Sequence, residues 1–383
     1  MQRFISTKVT SFDDYELIWI KVDLSEFNDL ALAESIYSGC IQNLHEKNSY
    51  ILSEKVFGTE SIMSLLSEIK KKYIDNQLIN PYPTSYIYSK RGIRFDNSCC
   101  SIVAIRPLSG SVSLKYIYDK KSGQIEGTYL KTKDTERLYL TTLNKRESGT
   151  GFTASFYDLT KAASEFGFKE KDLIRTWFYL DKIGFNYTEF NQNRNQCYQA
   201  LGIDLSAQSD HLPSSTCVGK NGIEDSLNVE AWFIKRNNEN IRISRIFNPF
   251  QKEPDGKNYM FQPAFSRAIL IETHDYRELQ LSGTASIGIN GETLFPGDTA
   301  MQIKTTFENV SAILHQSKMD FQDFCLAYCY LKNPEDAEIF HRIIRDLKIK
   351  APNSLLIFND ICRPDLTFEI DGIAIKKIRN DEK

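Results

Sequence analysis

The segment "NDICRPDLTFEIDG" sets a thiol, Cys362, seven residues ahead of a carboxyl, Glu369. Side chains alternate along a strand, so Thr367, Glu369 and Asp371 share one face of "LTFEIDGIA", and Phe368 and Ile370 share the other. If the glutamate's face packs inward, burial raises its pKa and keeps it protonated near neutral pH, the state in which it donates a proton. If that face meets water, Glu369 is an ordinary surface residue. A free cysteine is among the most buried residue types and seldom reacts, so Cys362 gains meaning only from its surroundings. Tyr187 and Arg194 in "YTEFNQNR" also lie seven residues apart; on a helix that is two turns along one face, so both reach the same ligand. Gly283 in "SGTASI" reads as a strand glycine that permits close approach.

Other chemistries are poorly provided for. Cys325 and Cys329 are one helical turn apart in spacing, but no second Cys/His pair completes a tetrahedral site, so no metal is expected. "GINGET" carries turn glycines without a G-x-G-x-x-G pattern, and G-K-[ST] is missing, so no nucleotide is expected either. With 47 basic against 50 acidic side chains, the chain offers no electrostatic footprint for nucleic acid or an anionic membrane. An anionic ligand must then be held by local cations. The start lacks a signal-peptide pattern and no run approaches the ~20 apolar residues of a membrane span, so the chain is read as cytoplasmic. Eight cysteines at irregular positions, including the adjacent Cys99 and Cys100, do not read as a disulfide framework.

The elements that would position these residues occur twice. "FYDLTKAASEFGF" has helical periodicity and precedes the strand "LIRTWFYLD", the helix "YTEFNQNRNQCYQALGI" and the strand "NVEAWFIK". "TTFENVSAILHQSKM", "FCLAYCYLK", "DAEIFHRIIRDLKI" and "FEIDGIAI" repeat that order, with Tyr179-Leu180 matched to Tyr330-Leu331 and Glu230 matched to Glu369. Such units imply an α+β fold, with helices on one face of a mixed sheet. "FNPFQKEPDGKN" reads as the connection between them. At 383 residues the chain exceeds one core of ordinary size. The expected division is a β-rich N-terminal region at 1–145, a first unit at 146–247 and a C-terminal unit at 258–383, the N-terminal region matching a degenerate third unit in position alone.

Taken together, "QPAFSRAILIE", "LSGTASIGINGETLFPGD", "RTWFYLD", "YTEFNQNR" and "ICRPDLTFEIDG" resemble the chorismatase family, on tandem units similar to the RidA (YjgF) fold, a small chorismate mutase-like barrel sheet backed by two helices. The resemblance implies a cofactor-free enzyme whose small-molecule substrate is chorismate, from which it removes pyruvate. It implies Glu369 as the proton donor and Cys362 beside the ring, with Arg175, Arg194 and Arg267 holding the substrate carboxylates and Tyr187 and Gly283 lining the site. Arg363, next to the cysteine, is a further candidate anchor, although adjacent strand residues face opposite ways and would turn it outward. The arginine that RidA imine deaminases carry about fifteen residues before the glutamate is replaced here by Ser354, which argues against imine deamination. Cys362 and Gly283 resemble the branch that forms 3-hydroxybenzoate, with 4-hydroxybenzoate as a minor product. The alternatives are a hydrolytic chorismatase giving a dihydroxy-cyclohexadiene carboxylate, and a RidA-like protein that binds aromatic or keto acids without turnover. Monomer and homo-oligomer both remain open, because RidA relatives place their sites between subunits.

Overall fold

The computed structural model describes residues 4–24, 30–90, 98–118, 125–142, 145–146, 151–206, 209–220, 226–257, 259–349 and 353–378. Three mixed sheets follow one another along the chain. The first contains β1 (Ile5–Ser11), β2 (Tyr15–Asp23), β3 (Tyr50–Gly58), β4 (Thr84–Tyr88) and β5 (Cys99–Pro107), in the order β1-β2-β5-β3-β4, with α1 (Leu30–Glu46) and α2 (Glu60–Asp75) as crossovers. The second contains β6 (Ser113–Tyr118), β7 (Ile125–Lys131), β8 (Thr135–Thr142), the short β9 (Lys145–Arg146), β10 (Leu173–Asp181), β11 (Ser214–Lys220) and β12 (Ser226–Arg236), with α3 (Gly151–Glu165) and α4 (Ile183–Ala200). The third contains β13 (Arg242–Ile246), β14 (Ala268–Glu272), β15 (Tyr276–Ala285), β16 (Phe324–Leu331), β17 (Ser354–Phe358) and β18 (Phe368–Lys377), with α5 (Thr299–Gln316) and α6 (Ala337–Asp346).

The architecture is α+β, with one unit of a mixed sheet and two helices built three times. Each sheet buries one face under its own two helices and the other against the two neighbouring sheets. Apolar side chains such as Ile41 and Leu66, Phe156 and Phe190, and Val310 and Phe340 fill the three helix-facing cores. A fourth core draws Trp19, Phe57, Trp177, Tyr179, Tyr328 and Tyr330 from all three sheets. By strand pairing the sheets divide between β5 and β6 and between β12 and β13, so β6, β7 and β8 serve the second sheet and β13 the third. Residues 147–150, beside the expected limit at 145, lie outside the described residues. No helix among the described residues is long and apolar enough to cross a membrane.

Register makes the repetition exact enough to compare positions. The ladders β3·β5, β10·β12 and β16·β18 each shift once, skipping Leu52, Ile174 and Cys325. Three residues beyond each skip stand Lys55, Trp177 and Tyr328, opposite Ser101, Glu230 and Asp371. Two further on, Phe57, Tyr179 and Tyr330 stand opposite Cys99, Asn228 and Glu369. The expected match of Tyr179 with Tyr330 therefore pairs Glu369 with Asn228, and Glu230 with Asp371. The slip of two leaves the strand face unchanged, which is why residue type alone suggested the other pairing.

Candidate active site

Glu369 enters β18 between two ladders, opposite Tyr330 on β16 and Ala285 on β15. Its side chain is buried. Beside it the pairing of β15 with β18 shifts between Leu281 and Thr284, so that Ser282 and Gly283 together face the single residue Asp371. This is a β-bulge, the device that re-aims side chains near functional sites. A Cβ on Gly283 would lie 2.1 Å from Glu369 Oε1 and 3.4 Å from Thr216 Cγ2. The room expected for a substrate ring is thus taken first by the acid. Burial, reinforced by the charge of Asp371 and opposed by Arg175 and Arg267, pushes the Glu369 carboxyl up to about 8.

The opposite wall comes from the second sheet. β11 meets the third unit through a parallel bridge from Ser214 to Ser266 and an antiparallel bridge from Val218 to Ile361. The backbone N–H of Ser215 donates to Ser282 Oγ at 2.8 Å, and that of Gly219 to the Asp360 carbonyl at 2.7 Å. The segment after β17 is thereby pinned across β11, and Cys362 lands beside it. Its thiol shares a hydrogen bond with Tyr187 of α4, and burial together with Glu369 pushes it up to about 12, so it is a neutral thiol. Cys217 on β11 is buried within electrostatic reach of Arg194, Cys362 and Glu369.

Four arginines surround this seam, each buried. Arg175 donates to Thr216 Oγ1 at 2.7 Å, stands 3.2 Å from Asp371 Oδ1, and lies over the Trp177 ring at 4.1 Å. Arg194 reaches Ser215 Oγ at 3.5 Å and stacks near Phe190 at 5.4 Å. Arg267 donates to the Lys252 carbonyl and to Tyr259 Oη, the latter at 3.1 Å. Nε and Nη1 of Arg175, Nε and Nη2 of Arg194 and Nε of Arg267 have no hydrogen-bond partner among the described residues. Buried guanidinium N–H groups in that state favour an anionic guest, since an unmade hydrogen bond there is costly.

The structure brings all seven expected site residues to one seam between the second and third units. Glu369 faces Arg175, Arg267 and Cys362; Cys362 meets Tyr187; Cys217 links them to Arg194; and Gly283 touches the carboxyl. Arg363 departs from expectation. It is buried, donates to the Gly291 carbonyl at 2.9 Å and lies 5.4 Å from the Tyr259 ring, because it sits in an irregular turn before β18 and strand alternation does not apply there. Sequence reading missed Ser215, Thr216, Cys217 and Ser282. They lie on or against β11, and which strand edge β11 meets is decided by contacts between units.

The family model described as Endoribonuclease L-PSP matches residues 263–376. A chorismatase of Streptomyces rapamycinicus is 25% identical over 228 residues, which is 53% of this chain and 64% of that protein. The match thus spans less than two thirds of that relative's length. A 3-hydroxybenzoate synthase of Streptomyces hygroscopicus is 21% identical over 245 residues, 58% of this chain and 68% of the relative. A crystal structure of a chorismatase superposes with a TM-score of 0.66 at 18% identity, covering 96% of this chain and 99% of that one.

Proposed function

We propose, for a chain that belongs to the chorismatase and 3-hydroxybenzoate synthase family and carries RidA/YjgF-like (L-PSP) units, that it removes pyruvate from chorismate and releases 3-hydroxybenzoate. The observation that supports this reading is the buried Glu369 carboxyl, held up to about 8 at a seam walled by Arg175, Arg194, Arg267 and Cys362.

Chorismate is a dianion bearing an enol-pyruvyl ether and a neighbouring hydroxyl. Glu369 gives its proton to the terminal methylene of the enol ether, which leaves an oxocarbenium-like carbon. The bond between ether oxygen and ring then breaks, and pyruvate departs with that oxygen as its keto group. The neighbouring hydroxyl closes on the vacated ring carbon and returns a proton to Glu369. The resulting epoxide opens and the ring aromatises. No water is consumed, and the atoms of chorismate equal those of the two products. Two carboxylates call for guanidinium forks, which pair both oxygens of each. Cys362, as a neutral thiol, occupies the place that an attacking water would need.

Incubation of the purified chain with chorismate, assay of pyruvate and separation of the ring products test this. Pyruvate with 3-hydroxybenzoate is expected. Pyruvate with the dihydroxy-cyclohexadiene carboxylate would move the protein to hydrolysis, and binding without pyruvate would end the enzymatic reading.

A further inference from the structure

Two residues beyond Glu369 on the same strand face lies Asp371, fully buried. The chemistry above gives it no part. Its Oδ1 accepts a hydrogen bond from Trp177 Nε1 at 3.2 Å and stands 3.2 Å from Arg175 Nη2; its Oδ2 has no hydrogen-bond partner among the described residues. Both partners belong to β10, so this carboxylate ties the third unit to the second. Through Arg175 it also governs Thr216, whose methyl borders the space at Gly283 that the Glu369 carboxyl fills.

The two neighbouring units show what the position needs for structure alone. Ser101 and Glu230 occupy it in the first and second sheets, and each likewise holds the residue that precedes it around the molecule: Ser101 Oγ lies 2.9 Å from Tyr328 Oη, and Glu230 Oε2 lies 3.0 Å from Lys55 Nζ. A hydroxyl suffices to close one such contact. At Asp371 the contact is made by a carboxylate placed next to another acid, where like charges oppose each other's ionisation. The groups facing Glu369 are Asp371 from β18, Arg175 from β10, Arg267 from the segment before β14, Cys217 from β11, Cys362 from the turn after β17 and Tyr330 from β16. The two cysteines and the tyrosine are neutral, their ionisation raised by burial. Asp371 is therefore the one negative charge among them that sets against the two arginines.

We propose that Asp371 is a positioning residue: clamped by Trp177 and Arg175, it fixes Arg175 against Thr216 and sets a second carboxyl group beside Glu369 on one strand face. This rests on the reading of Glu369 as the proton donor.

Asp371→Asn removes the charge and keeps the shape. Two readouts apply: the alkaline limb of the pH profile for pyruvate release, and the titration of the Glu369 carboxyl in the substrate-free protein, followed by infrared difference spectroscopy with Glu369→Gln to locate the band. Loss of a negative neighbour favours the carboxylate, so both midpoints are expected to fall by about one pH unit, while Asp371→Glu restores them toward the parent value. A Glu369 band that titrates unchanged in the Asn variant overturns the proposal. The spectroscopic arm needs no turnover, so a protein that releases no pyruvate but shows the shifted band loses the functional reading, while the hold of Asp371 on the Glu369 carboxyl stands by itself. If the Asn variant does not fold, Asp371→Ser makes the same test, with the residue that the first sheet carries there as Ser101.

Discussion

The seam between the second and third units and the seam between the first and second are built from corresponding strands of the repeated unit. At the candidate active site the residue opposite Tyr330 is Glu369, and its neighbour strand bulges at Ser282 and Gly283. At the other seam the residue opposite Tyr179 is Asn228, whose Oδ1 takes Lys220 Nζ at 2.6 Å. There the β8·β12 ladder runs unshifted as far as Glu230, the register then steps by one to the β9·β12 pair of Lys145 with Leu227, and Thr141 makes a 2.7 Å hydrogen bond to Ser85 of the first unit. The third such position, opposite Phe57, is the buried Cys99, and the β2·β5 ladder beside it also runs unshifted. One buried acid thus separates the seam that the proposed function leaves open to a guest from two sealed ones. The pair of Lys55 with Glu230 holds a sealed seam, whereas at the open one guanidinium nitrogens of Arg175, Arg194 and Arg267 have no hydrogen-bond partner among the described residues.

The comparison breaks most visibly at Lys55. Its ammonium lies 3.0 Å from Glu230 and 3.3 Å from the centre of the Trp177 ring, with both charged side chains almost wholly buried. Lys55→Met leaves Glu230 as an unpaired buried charge, and truncating one partner of such a pair costs about 3–5 kcal/mol of stability. Adding Glu230→Gln removes that charge and should recover most of the loss. Denaturant unfolding of both variants measures this. A single variant that loses less than about 1 kcal/mol would show that this seam is not clamped by the pair.

The open seam is sharpened next by Glu369→Gln, which keeps the shape and removes the proton. Turnover of chorismate should fall at least ~100-fold, the size of a general acid's contribution. The sign with pH follows from the raised pKa: the acid form is the donor, so parent turnover holds below about 8 and declines as pH rises through it. Burial is the main cause of that shift and the charge of Asp371 the next. Residual turnover in the Gln variant should lack this limb. Asn228→Ser, at the matched place on the sealed seam, serves as the contrast, with turnover expected to change less than ~3-fold, as for substitutions away from the chemistry.

Much of this was legible before the fold was in hand, and the rest was not for a definite reason. Local periodicity placed Glu369 and Asp371 on one strand face and Tyr187 and Arg194 on one helix face, and each pair now borders the same seam. The repeated order of helices and strands gave the α+β class. The match of Glu230 to Glu369 went astray because a slip of two residues preserves both face and residue type, and only the ladder resolves it. The wall formed by Ser215, Thr216 and Cys217 was illegible because its meaning lies in contacts such as the bond from Ser215 to Ser282, made across units. No local window holds that information.

The finest distinction within the open seam concerns Cys362. Its thiol is held neutral, about 12, mainly by burial and next by Glu369, and it shares a hydrogen bond with Tyr187. A neutral thiol in that state is a poor nucleophile, so its contribution to rate should be small. Its contribution to outcome is spatial. Cys362→Ala opens a space about the size of a sulfur atom beside the ring, lined by Tyr187 and Glu369, both able to hydrogen-bond a water. Water there competes with the neighbouring hydroxyl for the ring carbon. The total pyruvate rate should then change by less than ~5-fold, a loss of under about 1 kcal/mol in barrier terms, while the dihydroxy-cyclohexadiene carboxylate rises among the products at the expense of 3-hydroxybenzoate. Chromatographic product ratios from parent and variant measure it. An unchanged ratio would mean that the ring is shielded from water by something other than the thiol, with Tyr187 as the next residue to remove.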